Sequence, residues 1–490
     1  MKIFFLFTGG TEYMKLSLSK IAFFLIVALT TTVAAQEQGL TFNFFGGGAR
    51  SEGMGQAYLG ISNDGTAGGW NPAGLYIHEK TLMVFSYGVF MPRGRFTYFR
   101  ESDIPYDYNH TGNFGSINYW NIISPLRVKN HHFVLNLAYN RAFDTYFKFG
   151  ERLADASSTV EPNAFYERHG GINNINIGFG TRVYQQLSFG LSGNVYYGKV
   201  VTEELRHLWY DTTLFFTPYQ YLSSVQVLDS TKYSGFNMTL GLLYSGETVR
   251  GGLIVRTPFD LKGESDSTLY RITTFNNVPI DNLTDTNYID DRTSKIGIPL
   301  IVGLGLGYNL NENLLLAADV EYRNFSGKLV RNLDSLKLTA AGDRLEFFSS
   351  RDPNWSNVVQ FRLGAEYMLN TPIGEMPLRA GFRNEALPFG NAILREVRYE
   401  GPKNSSINDS TRVAYIFNYD SDKITGYSIS LGVGVRWSQV MLDVAYTYTT
   451  YKQKIYLDGN TDNFVFTDED LKYRNYWKNH HLNFTFTGYF

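Results

Sequence analysis

Few side chains could act as nucleophiles, general acids or bases, or metal ligands, and their spacing matches no catalytic motif. The chain has eight His and no Cys, which removes thiol nucleophiles, thiolate metal sites and disulfides. His131-His132 falls at a predicted turn and His480-His481 opens the last predicted strand, where interfacial hydrogen bonding is the expected role. The chain contains neither a Gly-x-Ser-x-Gly elbow nor a His-Glu-x-x-His motif. We therefore expect no enzymatic activity, no catalytic residue and no cofactor.

The acidic stretch at 281–291 is the nearest approach to a metal site. Its Asp residues do not follow the twelve-residue spacing of a calcium-binding loop. We expect a solvated surface loop there and predict no metal site.

A second group of charged residues alternates with apolar residues, which places them on one face of a strand. Its members are Arg256, Asp319, Glu321, Arg323, Arg362, Glu366, Arg379, Arg383, Glu385, Arg436 and Asp443. In a membrane barrel, a charge on the lipid face costs about 2–4 kcal/mol near the midplane, so these side chains are expected to face the lumen. They could form a paired network that holds a plug, or bind the polar head group of a ligand. Arg256, Arg362, Glu366, Arg379 and Arg383 are the candidate site charges.

Composition narrows the class of protein. Lys and Arg number 44 against 46 Asp and Glu, which gives none of the basic excess that a nucleic-acid-binding protein needs. The mean hydropathy is −0.21, and only one strongly apolar run is present, so a bundle of membrane-spanning helices is excluded. Aromatic residues make up 16% of the chain, with 47 Gly and 14 Pro. This composition favours a large antiparallel β protein.

The N-terminus has the pattern of a secretory signal peptide. The apolar run at 21–29 follows Lys15 and Lys20, and small residues precede Gln36. We predict cleavage after Ala35 and translation from Met14, so that residues 1–35 are the signal peptide. The protein is expected to be exported.

Alternation of apolar and polar residues predicts fourteen strands from about residue 81 to the end. Short connections at 127–130, 185–187, 246–248, 310–312, 370–375 and 437–439 alternate with long polar ones near 101–113, 150–171, 211–230, 271–293, 329–356, 390–423 and 457–472. An even strand count with short turns on one side and long loops on the other is typical of an outer-membrane β-barrel. The fold prediction is therefore all-β: a transmembrane antiparallel barrel of residues 81–490 with both ends periplasmic. A last strand that ends in Phe490 resembles the signal read by the barrel-assembly machinery.

Residues 36–80 do not read as barrel strand and are predicted to form an N-terminal hatch, or plug, in the lumen. Their Gly residues permit tight turns and close backbone approach, whereas no Lys-Ser/Thr follows to make a phosphate-binding loop. Pro72 fixes its own backbone and restricts Asn71, so a defined turn is expected at 71–74. The predicted ligand-binding or gating residues are Phe42, Phe44, Phe45, Met54, Trp70, Asn71, Pro72, Ala73 and Gly74.

The stretch 48–58, the Asn63-Asp64 pair and the stretch 70–75 resemble the hatch of FadL-type outer-membrane transporters, and the stretches 303–322 and 362–367 resemble strands of that family. The resemblance implies passive uptake of a hydrophobic small molecule, such as a long-chain fatty acid or an aromatic hydrocarbon, through hatch rearrangement and a lateral wall opening. It also implies that the protein contacts outer-membrane lipid and lipopolysaccharide.

A related branch leaves a second function open. Barrels with a similar hatch also serve type IX protein secretion, where the partner is a secreted protein held at the cell surface. Long loops such as 329–356 and 390–423 suit that role, whereas apolar hatch residues suit a small-molecule channel.

Overall fold

The computed structural model describes residues 46–98, 106–129, 131–144, 147–149, 164–214, 217–275, 278–279, 285–328, 330–337, 344–351, 355–372, 374–399, 412–458 and 471–490. The predicted signal peptide lies outside these residues, as do Phe42, Phe44 and Phe45. Among the described residues, no helix is long and apolar enough to cross a membrane.

Helical structure is confined to the described N-terminal part of the chain. Two short α-helices, α1 (Ala49–Gly53) and α2 (Ala67–Trp70), precede a 3-10 helix at Pro72–Ile77. We call residues 46–80 the lumen segment. Gly and Pro fix its turns, and no apolar repeat in it is long enough for a longer helix.

The rest of the described chain forms one sheet of 21 strand segments, antiparallel except for a short parallel pairing of 392–395 with 455–458. In chain order these are β1 (Leu82–Tyr98), β2 (Tyr106–Thr111), β3 (Phe114–Val128), β4 (His131–Asp144), β5 (Phe147–Phe149), β6 (Ala164–Tyr184), β7 (Leu187–Leu214), β8 (Thr217–Ser245), β9 (Val249–Arg256), β10 (Phe259–Phe275), β11 (Val278–Pro279), β12 (Asp285–Ile298), β13 (Ile301–Asn309), β14 (Leu314–Arg323), β15 (Val330–Lys337), β16 (Arg344–Arg351), β17 (Val358–Thr371), β18 (Gly374–Tyr399), β19 (Arg412–Trp437), β20 (Val440–Asp458) and β21 (Leu471–Tyr489).

Several segments continue one another, so the sheet closes as fourteen wall strands. β2 extends β3, β5 extends β4, β10 extends β9, β11 and β12 extend β13, β15 extends β14, and β16 extends β17. The last strand pairs with the first from Leu82↔Tyr489 to Tyr98↔Tyr473, which leaves no open sheet edge at the seam. The predicted fourteen-stranded antiparallel barrel is confirmed.

The two faces of the wall differ as the alternation predicts. Leu304, Leu306 and Leu431 point outward with 58–63% of their surface exposed, whereas Asp319 and Arg362 on the inner face are at most 2% exposed. A continuous apolar outer face is what a lipid bilayer requires, and a closed barrel satisfies every backbone group at that depth. The barrel therefore spans a membrane.

The predicted long loops at 211–230, 271–293, 329–356 and 390–423 are wrong in part, because strands continue into them. The surface loop predicted at 281–291 is likewise strand from Asp285 onward. Strands β7 and β8 continue through most of 211–230 as a hairpin, paired from Leu187↔Tyr244 to Leu214↔Thr217. Beyond the bilayer a strand can be polar on both faces, so the polar composition that suggested a loop is compatible with a strand.

Three neighbouring wall strands are interrupted at one level. β9 and β10 are separated by Thr257-Pro258, and β12 and β13 by Pro299-Leu300. The third gap, between β14 and β15, begins at Asn324, and a tight turn there is closed by the bond from Lys328 N to Phe325 O at 3.1 Å. Proline has no N–H to donate to a ladder, so the sheet cannot pair continuously here. We call this region the wall break.

Candidate functional site

The lumen segment contacts the inner face of the wall on many sides. Helix α1 contacts β18, β19, β20 and β21, helix α2 contacts β4 and β6, and the 3-10 helix contacts β4, β6, β7 and β8. Met54, Tyr58, Leu59 and Trp70 are completely buried. Burial on this scale means that the segment fills the cross-section it occupies.

Glycines on the inner face of the wall allow the lumen segment to touch the sheet backbone. A Cβ at Gly190 would lie 2.2 Å from Pro72 C, and one at Gly252 would lie 2.0 Å from Leu59 O. Such distances are impossible for a side chain, so only Gly fits. The same close approach occurs at Gly180, Gly241, Gly305, Gly364 and Gly381. We call these seven residues the glycine collar.

Wall side chains satisfy backbone groups of the lumen segment. Asp319 Oδ2 accepts hydrogen bonds from Tyr58 N at 2.6 Å and Leu59 N at 2.9 Å. Thr485 Oγ1 accepts from Ala49 N at 2.8 Å, on the opposite part of the wall. Since a buried N–H without a partner is costly, these contacts tie the irregular backbone to the barrel.

An ion-pair chain joins α1 to three wall strands. Arg50 donates to Glu366 through Nε and Nη2, at 2.9 and 2.8 Å. Glu366 also accepts from Arg379 Nε at 2.6 Å, and Arg379 Nη1 donates to Asp443 at 2.6 Å. We call Arg50, Glu366, Arg379 and Asp443 the latch. A two-pronged Arg–carboxylate pair is directional as well as strong, so the latch fixes the position of α1.

A second buried ion group lies in the wall itself. Glu321 accepts from Arg323 Nε at 2.5 Å and from Arg362 Nη2 at 2.7 Å. Arg256, also buried, donates to Thr239 Oγ1 at 3.1 Å. The Glu321 group is therefore paired within the wall, whereas Arg256 also donates to Gly69 O of the lumen segment at 3.5 Å.

Helix α1 carries a further contact to the last strand. Glu52 pairs with His481 Nδ1 at 2.9 Å and accepts from Asn483 Nδ2 at 2.8 Å. Burial alone would raise the pKa of the Glu52 carboxyl, but its contacts with His481 and Asn483 outweigh burial and lower that pKa. Glu52 is thus a second anionic anchor of α1.

The turn at 71–74 is held by Asn71. Its Oδ1 accepts from Ala73 N at 3.2 Å, and its Nδ2 donates to Leu59 O at 3.1 Å and to the wall carbonyl of Leu242 at 3.0 Å. A Cβ at Gly74 would lie 1.8 Å from Ser62 O. The turn therefore connects two parts of the lumen segment and the wall.

The predicted site residues do not all meet at one place. Met54 and Trp70 join a buried apolar cluster with wall residues, and Trp70 makes an edge contact with Tyr58 at 5.7 Å. Glu366 and Arg379 lie in the latch, whereas Arg383 pairs with Glu385 at 2.5 Å on its own strand. Arg436 is on the same face of its strand as Gly432 and Gly434, as predicted, but it is half-exposed in a pair with Glu375, because it lies next to the turn at 438–439 where the barrel ends.

The site also contains groups that sequence reasoning missed. The glycine collar had a visible signal, since Gly303, Gly305 and Gly307 alternate on one face. Arg50 and Glu52 lie in the resembling stretch, but no local pattern indicated their distant partners. The wall break was signalled by Pro258 and Pro299 within predicted strands. In the part of the chain that the structure describes, no group of three or more His, Cys, Asp or Glu could hold a metal ion.

Comparisons with known proteins support the architecture. A family model described as BamG matches residues 144–371, just under half of the chain. No curated protein matches the sequence.

Solved structures match over nearly the whole chain. The Pseudomonas putida toluene transporter TodX is 14% identical with a TM-score of 0.58, covering 91% of this chain and 99% of its own. A Pseudomonas aeruginosa FadL homologue is 14% identical with a TM-score of 0.55, covering 93% and 99%. The CymD monoaromatic hydrocarbon channel is 14% identical with a TM-score of 0.54, covering 92% and 99%. The chain therefore has the barrel fold of the FadL-type channels.

Proposed function

We propose that this protein is an outer-membrane channel for the passive uptake of hydrophobic small molecules, with long-chain fatty acids or aromatic hydrocarbons as the leading substrates. The observation that carries the proposal is the apolar cluster that joins Met54, Tyr58 and Trp70 of the lumen segment to the inner wall. An apolar compound gains about 25 cal/mol for each Å² removed from water. When the lumen segment moves, this cluster exposes apolar surface on which such a compound can bind.

Passage requires the lumen segment to rearrange, because its buried side chains fill the space they occupy. We propose that the segment acts as a hatch and that the turn at 71–74 is its gate. Segments that lack regular backbone ladders open more readily than the strands around them. The lumen segment is held by side-chain contacts such as the latch and Asn71, whereas the wall strands are held by continuous backbone hydrogen-bond ladders.

The channel fold of TodX, CymD and the FadL homologue agrees with this proposal. TodX is described as a toluene transporter and CymD as a monoaromatic hydrocarbon channel. No enzyme activity and no cofactor form part of the proposal. Outer-membrane lipid and lipopolysaccharide are its expected surroundings, with the barrel-assembly machinery as the partner during biogenesis.

Binding to the purified protein tests the proposal. Protein extracted in detergent and reconstituted into lipid nanodiscs is incubated with radiolabelled toluene or palmitate and filtered. We expect saturable binding of at least one of these compounds, weakened about 10-fold or more by Trp70→Ala, because the loss of a buried Trp removes several kcal/mol of apolar contact. Saturable binding of neither compound would contradict the proposal.

One observation favours a second candidate function, the display or secretion of proteins. β7 and β8 span 28 and 29 residues, whereas a tilted strand needs only about 9–11 residues to cross a bilayer. The surplus builds a large structure beyond the membrane, which could hold a secreted protein as in type IX secretion. A secretion partner that co-purifies with the barrel, together with absence of small-molecule binding, would favour this function.

A further inference from the structure

The wall break encloses a cleft of about 410 Å³. Its lining includes Pro258, Phe259, Asp260, Lys295, Ile298 and Lys328. We call the half-buried Phe259 and the buried Ile298 its floor, and the exposed Asp260 and Lys295 together with Lys328 its rim. Cavities of this volume lie within the usual range for small-molecule sites, about 300–1,000 Å³. The volume suits one single-chain molecule better than a lipid with several acyl chains.

The floor of the cleft is continuous with the apolar interior of the barrel. Ile298 is 1% exposed and belongs to the same buried cluster as Tyr58 and Trp70 of the lumen segment. Phe259 packs on that cluster and stacks on Tyr196 with a ring separation of 4.7 Å. An apolar chain that lies in the cleft would therefore extend the apolar surface that leads to the lumen segment.

The rim of the cleft lies where the outer face changes from apolar to charged. Towards the short turns, Leu304 and Leu306 are more than half exposed on the lipid face. Towards the long loops, the outward-facing side chains are Asp260, Lys262 and Lys295, all exposed. Since charged groups avoid the lipid face within the bilayer, the rim lies at the membrane–water interface.

Two cations at the rim form no ion pair with any residue that the structure describes. Among the described residues, neither Lys295 nor Lys328 makes an ion pair within 4.0 Å, and Asp260 is the acidic residue in the lining. A site with an apolar floor and two ammonium groups at its mouth matches an amphiphile whose anionic head stays at the interface.

We propose that the wall break is a binding site for a single-chain amphiphile with a carboxylate head group. The carboxylate lies at Lys295 and Lys328, and the chain lies along Phe259 and Ile298. The inference rests on the proposed function and deepens it, because it favours a fatty acid over a neutral hydrocarbon as the compound bound at this place.

Two ligands with the same chain test the assignment. Palmitate and hexadecanol differ only in the head group, and their dissociation constants are measured with the full-length protein in nanodiscs of neutral lipid. The test variant is Lys295→Gln/Lys328→Gln, and the control Lys452→Gln/Lys478→Gln removes the same charge from strands β20 and β21. Phe259→Leu tests the contribution of the apolar floor of the cleft to binding.

The Lys295→Gln/Lys328→Gln variant should bind palmitate about 5- to 10-fold more weakly, as expected for two interfacial charge contacts, and should bind hexadecanol as the wild type does. The control should match the wild type with both ligands, and Phe259→Leu should weaken both. Equal palmitate affinity in the test variant and the wild type overturns the cleft assignment while the proposed function stands. If the wild type binds neither palmitate nor hexadecanol nor toluene, the proposed function fails as well. Loss of co-purified lipid phosphate from the Lys variant, with palmitate binding unchanged, would assign the cleft to a membrane lipid and overturn the proposal.

Discussion

At the residue scale, the lumen segment is held by a small number of buried polar contacts. The latch spans α1 and three wall strands, so each of its members depends on partners that are distant in sequence. Removing one partner of a buried ion pair costs more than the pair itself contributes, because the remaining charge is left buried without compensation. Single substitutions in the latch should therefore have local and large effects.

Arg50→Ala should loosen α1. The change leaves Glu366 without its two-pronged partner, at a cost of about 3–5 kcal/mol. If that cost destabilises the closed state of the lumen segment, the open state becomes more populated. A cysteine placed at the buried Ser51 should then react with a maleimide about 100-fold faster or more.

The exposed pair of Arg436 and Glu375 is the matched control for Arg50→Ala. Its side chains are 48% and 49% exposed, and exposed pairs contribute about 0–1 kcal/mol. Arg436→Ala should leave the labelling of the Ser51→Cys protein almost unchanged. Similar labelling rates in the Arg50 and Arg436 variants would mean that the latch does not hold α1.

Asn71→Ala tests the turn at 71–74. The substitution removes one cap and two bonds from Nδ2, each of which contributes about 1 kcal/mol, whereas the barrel ladders do not involve the turn. We expect uptake of the hydrophobic substrate to change and the heat-induced gel shift of the barrel to stay the same. Asn174→Ala, which removes a wall-to-wall bond to Asn194, should alter neither. Unchanged uptake by the Asn71 variant would assign the turn to packing alone.

At the element scale, the wall strands are shaped to receive the lumen segment. Their inner faces carry glycines where the segment backbone touches the sheet, and polar side chains where its backbone groups need partners. Strand alternation was predictable from the sequence because it depends on neighbours two residues apart. The fit of the glycine collar to the lumen segment was not predictable from the sequence, because it depends on which wall glycine lies opposite which turn of the segment.

Gly190→Val should displace the turn at 71–74. The new side chain would overlap Pro72 and Ala73, and overpacking of this kind costs about 1–3 kcal/mol. Gly193 lies on the other face of the same strand, where a Cβ would be 3.5 Å from Phe236, an ordinary contact. The control substitution Gly193→Val should therefore have little effect. Labelling of the Ser51→Cys protein measures both, and equal rates would show that the collar does not position the segment.

At the scale of the whole molecule, loop lengths and strand count predicted the barrel without any knowledge of its contacts. Short turns appear where they were predicted, at 185–186, 246–248 and 438–439 among others. The wall break could not be located in the same way. Pro258 and Pro299 are 41 positions apart in sequence, and only strand pairing shows that they lie at one level of neighbouring strands.

The topology leads to a prediction for intact cells. Both described ends of the wall lie on the side of the short turns, as the pair Leu82↔Tyr489 requires, and we expect that side to be periplasmic. Protease added outside should cut within 329–356 or 390–423 and spare 310–313. Cleavage at 310–313 in intact cells would reverse the orientation.

The central claim is that a hydrophobic molecule passes through the barrel when the lumen segment moves. Gly53 of α1 and Gly432 of β19 face each other, since a Cβ on either one would lie 3.1 Å from the Cα of the other. The two backbones are closer here than a disulfide normally allows, so Gly53→Cys/Gly432→Cys can form one once they separate by about 1 Å. The disulfide would tether the segment to the wall in a chain that has no other Cys.

Uptake of radiolabelled palmitate or toluene by cells that carry this variant is the most direct test. Uptake should fall to the level of cells without the protein when the disulfide is formed. It should recover on reduction, and oxidant should not affect either single Cys variant. Uptake at the same rate in the oxidised and reduced protein, or no uptake by the wild type above cells without it, would mean that movement of the lumen segment does not open a path through the barrel.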